Sequence, residues 1–195
     1  MKKLLSILLL SFFSISLANA VEGEFSFGVE AGYSAVDLES EKSAQEIANA
    51  IGETVTVKYN TGLLVGRIFV DYGITSNLNV EAGFIQSSTF SENYSMASGS
   101  ADIDYDFNGF DLSALIKNES GLFGRVGMHS TTLNGAASVV IGSTTVNLTA
   151  TADGTGPMVG GGYDLENNVR YSITHYSDLA GVDDFTVFSI GYKFN

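Results

Sequence analysis

The sequence predicts an all-β protein, an eight-stranded antiparallel up-and-down transmembrane β-barrel with short periplasmic turns and long extracellular loops. Three observations support this prediction. Apolar residues alternate with small or polar residues in segments along the whole chain. Charged residues in these segments share a face with glycine and serine, which favours a polar lumen over the apolar interior of a soluble barrel. Short connections also alternate with long ones, as periplasmic turns and extracellular loops do.

The amino terminus has the three parts of a secretory signal peptide. Lys2 and Lys3 form a positive region, residues 4–17 are apolar and uncharged, and Ala18-Asn19-Ala20 is a small-residue cleavage site. The sequence therefore predicts that residues 1–20 are a cleaved signal peptide and that residues 21–195 form one barrel domain, exported to the bacterial outer membrane.

Each predicted strand has an apolar face suited to lipid and a small or polar face suited to a lumen. The second strand lies within residues 55–72, and the last strand ends almost at the carboxyl terminus. In chain order, the outward faces carry Phe25 and Val29, Leu64 and Ile68, Val80 and Phe84, Phe110 and Leu112, Val126 and Met128, Val159 and Tyr163, Tyr171 and Ile173, and Phe188 and Ile190.

The connections fall into two groups. Short turns are expected near Thr75, Glu119 and Glu166, and long loops are expected at residues 37–54, 87–100, 132–153 and 177–183. Residues 43–51 favour a short helix over the barrel mouth. Partial alternation continues through residues 87–107 and 131–148, so strands that project above the membrane could offer a sheet edge to a partner chain.

The lumen is expected to hold paired charges, because isolated buried charges are costly. The residues expected to pair are Glu30, Arg67, Glu81, Lys117, Arg125, Asp164, Arg170 and Lys193. Eight strands enclose a space that side chains can fill, which favours a lumen closed to solutes. The alternative is a narrow path for ions.

The composition of the chain limits the kinds of partner and ligand that the sequence predicts. The formal net charge of −13 argues against nucleic acid and permits divalent cations or basic partners. Asp102, Asp104 and Asp106 share a strand face, so a weak calcium site is an alternative to a solvated acidic face. The chain has no cysteine and two histidines, and the sequence predicts neither a cofactor nor a resident metal.

The final third of the chain resembles the eight-stranded barrels of the outer membrane protein A superfamily. The resemblance rests on Gly156-Pro157-Met158-Val159-Gly160-Gly161-Gly162-Tyr163-Asp164-Leu165, then Asn168-Val169-Arg170-Tyr171, then Ser189-Ile190-Gly191-Tyr192-Lys193-Phe194. It implies a monomer in contact with outer membrane lipids and lipopolysaccharide. It also implies a structural or adhesion-type role in which the extracellular loops bind a protein partner.

The last hairpin carries a weaker local resemblance, to the outer membrane lipid A deacylases. The pattern His175-Tyr176-Ser177 is similar to their His-x-Ser motif, although Asp178 stands where an asparagine is expected. Carried over, Ser177 is the nucleophile, His175 the general base and Asp184 the acid that orients the histidine. The resemblance implies a lipid A 3-O-deacylase-like esterase. The alternative is a histidine and a serine at the membrane interface with no catalytic role.

Overall fold

The computed structural model describes residues 22–35, 40–60, 62–179 and 183–194, so the predicted signal peptide lies outside the described residues. The structure contains one helix and ten strands within these ranges. They are β1 (Phe25–Ala35), α1 (Ser40–Ile51), β2 (Thr56–Tyr59), β3 (Gly62–Gly73), β4 (Leu78–Ser87), β5 (Phe90–Met96), β6 (Gly99–Lys117), β7 (Leu122–Ile141), β8 (Thr144–Asp164), β9 (Val169–Leu179) and β10 (Asp183–Phe194).

Eight of the strands close an antiparallel barrel, as the sequence predicts. β1 pairs with both β3 and β10, and the sheet continues through neighbouring antiparallel pairs until β6 pairs with β7. β2 and β5 stand outside the barrel wall, because β5 pairs only with the upper part of β6 and β2 adds to β5. The second predicted strand is therefore shorter than residues 55–72, since β2 and β3 separate within that range.

Burial alternates along the barrel strands with the predicted phase. In β3 every second residue from Leu63 to Gly73 is buried, while Leu64 and Ile68 between them are 65% and 58% exposed. Phe110 and Phe188 are also more than half exposed. Large apolar side chains on the outside are stable only against lipid, so this belt identifies the membrane-facing wall.

The three short connections lie at one end of the barrel, near Thr75, Glu119 and Glu166. Gly121 and Asn168 occupy these turns with φ of 93° and 67°, a backbone conformation that glycine and asparagine adopt with little strain. This end is the periplasmic side, by the asymmetry that outer membrane barrels share.

Two of the predicted long loops contain the projecting strands that the partial alternation of residues 87–107 and 131–148 indicates. Residues 87–100 and 132–153 form β-hairpins, because the backbone ladders of the barrel continue upward instead of ending at the membrane. β4 is followed after two residues by β5, which turns back into β6, and β7 joins β8 through Gly142 and Ser143. Gly142 has a φ of 59°, as a tight hairpin turn requires.

The predicted short helix is present and begins three residues earlier, at Ser40. The helix ends at Ile51, and the next residue, Gly52, caps it. Gly52 has a φ of 71°, and its N–H donates a hydrogen bond of 2.9 Å to the Ala48 carbonyl. Ser40 and Ala44 are buried, and Ser43 and Ile47 line a cavity against β5 and β6. No helix among the described residues has the length and apolar character needed to cross a membrane.

Candidate functional site

A network of ion pairs occupies the middle of the lumen. Glu81, which is completely buried, lies 2.8, 2.7 and 2.6 Å from the guanidinium groups of Arg67, Arg125 and Arg170. Arg67 also donates two hydrogen bonds to Asp111, at 2.8 and 2.6 Å. The Glu81 carboxylate of β4 is thus shared among three guanidinium groups, which belong to β3, β7 and β9. This sharing compensates charges that neither the lipid nor the backbone could stabilise.

Glu30 and two aromatic rings complete this layer. Arg67 donates a hydrogen bond of 3.2 Å to Glu30, whose other carboxylate oxygen lies 3.6 Å from both Arg125 and Arg170. Phe69 and Phe123 each stack against guanidinium groups, with distances of 4.7–5.7 Å from the ring centroids. These rings close the space that the ion pairs leave and add cation–π attraction.

A second charged layer lies nearer the periplasmic turns. Lys117 and Lys193 lie 3.2 and 2.8 Å from Asp71. Asp164 lies 3.2 Å from Lys117 and accepts a hydrogen bond of 2.6 Å from Arg170, which links the two layers. The eight charged residues predicted to pair in the lumen all do so. Asp71 and Asp111 complete the network and were missed, although their alternation with apolar neighbours already placed them on the polar face.

The expectation of a polar lumen is wrong for its extracellular half. An apolar cluster fills that half: Leu63, Val65, Ile85, Phe90, Phe107, Leu133, Met158, Tyr176, Leu179, Phe185 and Val187. Phe107 is fully buried and packs edge-on against Phe185, with 4.9 Å between the ring centroids. Side chains therefore occupy the barrel interior as an ion-paired layer below an apolar layer.

The last hairpin brings His175 next to Asp184. His175 Nε2 lies 3.5 Å from an oxygen of Asp184, and both side chains are substantially exposed on the outer wall. The other ring nitrogen, Nδ1, is 3.0 Å from the Thr186 hydroxyl, so each nitrogen has a neighbour other than Ser177. The Ser177 carbonyl accepts a hydrogen bond of 2.7 Å from His129 Nε2 inside the barrel. The assignment of Ser177, His175 and Asp184 as catalytic residues stays a prediction.

Above the membrane, β7 and β8 continue as a two-stranded ladder. β8 pairs with β7 along its whole length, from Thr144 to Tyr163, but pairs with β9 only from Met158 to Asp164. In the described part of the chain, residues 144–155 thus lack a second paired strand, whereas Gly156 already lies against Ser177 of β9. This segment, here called the free edge of β8, exposes Val146 and Leu148 by 44% and 57%.

Asp102, Asp104 and Asp106, in the extracellular part of β6, point away from the lumen. Asp102 and Asp104 are exposed, and Asp104 and Asp106 accept hydrogen bonds from Ser91 and Asn134. Within the described ranges, no three acidic or histidine side chains converge to hold a metal ion. Asp102 and Asp104 thus belong to an acidic surface outside the lumen.

A family model described as the outer membrane protein beta-barrel domain matches residues 5–195. The chain belongs to this family. Among curated proteins, no sequence matches the chain.

The chain shares its fold with a solved structure, Ail, at low identity. The chain is similar to Ail, the attachment invasion locus protein of Yersinia pestis, with 11% identity and a TM-score of 0.51 over 89% of this chain and 100% of Ail. Ail in complex with the heparin analogue sucrose octasulfate gives 12% identity and a TM-score of 0.52 over the same shares of the two chains. The outer membrane protein OprG from Pseudomonas aeruginosa gives 13% identity and a TM-score of 0.48 over 91% of this chain and 100% of OprG.

Proposed function

We propose that this outer membrane barrel is a surface-interaction protein, and that a partner polypeptide adds a strand to the free edge of β8. The observation that carries the proposal is the unpaired edge itself, which runs from residue 144 to residue 155 above a lumen filled by side chains. Unpaired backbone N–H and C=O groups along such an edge form a template for another extended chain.

The free edge lacks the features by which natural sheets prevent strand addition. No charged residue occurs from Thr144 to Ala152, and this stretch contains four threonines and two alanines. Lysine, proline and bulges usually protect edge strands from edge-to-edge pairing. Pro157 lies at the foot of the edge, where the pairing with β9 begins one residue later. The exposed apolar side chains of Val146 and Leu148 would contact alternate residues of an added strand.

Charge indicates which partners the surface favours. Of the nine lysines and arginines, two lie in the predicted signal peptide, five lie in the lumen, and Lys42 and Lys58 remain outside. The extracellular segments contain thirteen aspartates and glutamates. A structure of Ail contains a polysulfated heparin analogue. An acidic surface repels such polyanions and attracts basic polypeptides, so the partner proposed here is a protein with a basic extended segment.

The proposal is tested by adhesion of a non-adherent bacterial strain that expresses the chain in its outer membrane. In the test variant an Asn-Gly turn replaces residues 134–151, which connects Leu133 and Ala152, partners in the native register, by a two-residue hairpin turn. Cells with the wild-type chain are expected to adhere to cultured epithelial cells, and cells with the shortened hairpin are expected to lose this adhesion. An Ile141→Ser variant is the matched control and is expected to keep adhesion, because it removes an exposed apolar side chain from β7 of the same hairpin and leaves the free edge of β8 unchanged.

Equal adhesion by wild-type cells and cells with an empty vector would contradict the proposed function, provided that heat-modifiable gel mobility shows a folded barrel. Equal adhesion by the wild type and the shortened variant would contradict the role of the edge. Autoaggregation of wild-type cells in the absence of host cells would show that the edge pairs with a second copy of the chain instead of a different protein.

The second candidate function is hydrolysis of an ester-linked acyl chain of lipid A by Ser177 with His175 as general base. The contact between His175 and Asp184, on the lipid-facing side of the last hairpin, favours this candidate. The contact of His175 Nδ1 with Thr186 disfavours it, because a general base must have one nitrogen available to the nucleophile.

Mass spectrometry of lipid A tests the esterase directly. An esterase removes one hydroxyacyl mass from lipid A in cells that express the wild-type chain, and Ser177→Ala abolishes the loss. Thr186→Val serves as the control, since it removes the hydroxyl that contacts His175 without changing Ser177. Unchanged lipid A in cells with a folded wild-type barrel would eliminate the esterase.

A further inference from the structure

A cavity lies between α1 and the extracellular sheet. Its volume is about 420 Å³, and its walls are mostly apolar and aromatic. Ser43 and Ile47 of α1 form one side, and the inner faces of β5 and β6 form the other. Tyr94, Tyr105, Met96 and Ile103 contribute the larger side chains.

Glu92 places a carboxylate in the wall of this cavity. The residue is 4% exposed, yet among the described residues no lysine, arginine or histidine forms an ion pair with it. It accepts hydrogen bonds from the hydroxyl groups of Ser40 and of Tyr94, the latter at 3.1 Å. Every buried acid of the lumen network has a cationic partner, whereas Glu92 has neutral ones.

The Glu92 carboxylate affects the pKa of two neighbouring tyrosines. Burial, followed by the nearby Glu92 carboxylate, raises the pKa of both Tyr94 and Tyr105. Hydroxyl groups orient a carboxylate but do not neutralise it, so the cavity keeps a negative potential between aromatic walls.

We propose that this cavity binds a small organic cation with an alkylated ammonium group, which pairs with Glu92 and packs against Tyr94 and Tyr105. Aromatic faces attract such cations when water is excluded. The carboxylate already accepts hydroxyl hydrogens on both of its oxygens, and an alkylated ammonium supplies charge without requiring further hydrogen bonds. The site lies in the pocket under α1, apart from the free edge of β8, so the two proposals can fail independently.

The test is a titration of the isotope-labelled, refolded barrel in lipid nanodiscs, followed by NMR. Choline is the probe, 3,3-dimethylbutan-1-ol is its uncharged carbon isostere, and ethanolamine is its unalkylated counterpart. Choline is expected to shift the Tyr94 and Tyr105 resonances saturably, the isostere is expected to cause no saturable shift, and ethanolamine is expected to bind more weakly.

Two variants of equal charge change separate the buried carboxylate from the general acidity of the surface. Glu92→Gln keeps the shape of the side chain and one oxygen that accepts from Ser40 or from Tyr94, and it is expected to weaken choline binding by about tenfold or more. Asp102→Asn removes an exposed acid on the other face of the sheet and is expected to leave the affinity unchanged. An unchanged amide resonance of Gly52 verifies that α1 stays folded in both.

The proposal is overturned if choline produces no saturable shift, if the uncharged isostere binds as well as choline, or if ethanolamine binds more tightly. It is also overturned if Glu92→Gln and Asp102→Asn have the same affinity as the wild type, since the buried carboxylate would then contribute nothing.

Discussion

Replacing Glu81 with glutamine tests whether the lumen network stabilises the barrel. Glu81 is fully buried and accepts hydrogen bonds from Arg125 and Arg170 at 2.7 and 2.6 Å, with Arg67 at 2.8 Å. The variant removes one negative charge and turns an amide donor toward guanidinium donors. Breaking a buried ion pair in this way costs about 3–5 kcal/mol of unfolding free energy.

Glu30→Gln is the matched control for this prediction. It removes the same charge from the same layer, but Glu30 accepts one hydrogen bond, at 3.2 Å from Arg67, and its other contacts are 3.6 Å long. The loss of fewer charged hydrogen bonds is expected to cost about 2 kcal/mol less than in Glu81→Gln.

Reversible urea unfolding in lipid vesicles, followed by circular dichroism and by heat-modifiable gel mobility, measures both free energies. Equal destabilisation by the two variants would refute the reasoning, because net charge alone would then account for the effect. A loss below about 1 kcal/mol in Glu81→Gln would refute the role of the network altogether.

Three further predictions concern other parts of the molecule. Gly28→Ala is expected to lower the yield of folded barrel, because its Cβ would lie 2.1 Å from an atom of the Phe69 ring. Gly124→Ala is the control and is expected to fold normally, because its Cβ would have no atom within 4 Å. Heat-modifiable gel mobility measures the folded fraction of both. Planar-bilayer recordings of the purified barrel are expected to show no stable large conductance, since side chains fill the lumen, and a steady open level would contradict this. In an alkaline titration, burial and then the Glu92 carboxylate are expected to raise the pKa of Tyr94 and Tyr105, so the stability from their neutral forms is complete below pH 10, the ordinary tyrosine pKa, and is lost as the pH rises through their raised values. If Tyr94→Phe leaves the phenolate absorbance that appears above pH 10 unchanged, this assignment is wrong.

The barrel could be predicted from the sequence because alternation determines both the strands and their faces. Arg67, between Gly66 and Ile68, can be assigned to the inner face from the alternation alone, without knowledge of the strands on either side of β3. The pairing of charges followed from the same alternation, because any charge on the inner face of a narrow barrel needs a partner. The end of each strand could not be predicted, since residues 132–153 alternate too weakly to distinguish a hairpin from a loop.

The apolar half of the lumen could not be predicted for a different reason. Phe107 and Asp111 lie on the same face of β6, and their heights relative to residues such as Ile85 and Phe185 depend on the register between strands. Local sequence contains no signal for that register. The cavity next to Glu92 depends on a contact with Ser40, 52 residues away, for the same reason.

The lumen charges also constrain how the barrel assembles. Each of the eight barrel strands contributes at least one charged residue to the network, in chain order Glu30, Arg67, Glu81, Asp111, Arg125, Asp164, Arg170 and Lys193. β3 and β6 each contribute one acid and one base, but each of the other six strands contributes charge of one sign, so a sheet that lacks one of these six has an uncompensated charge facing the hydrocarbon. Partly inserted forms are therefore high in energy, and the last strands to associate complete the electrostatic balance as they close the wall. Insertion of this chain is thus favoured as a single cooperative event over the stepwise addition of hairpins.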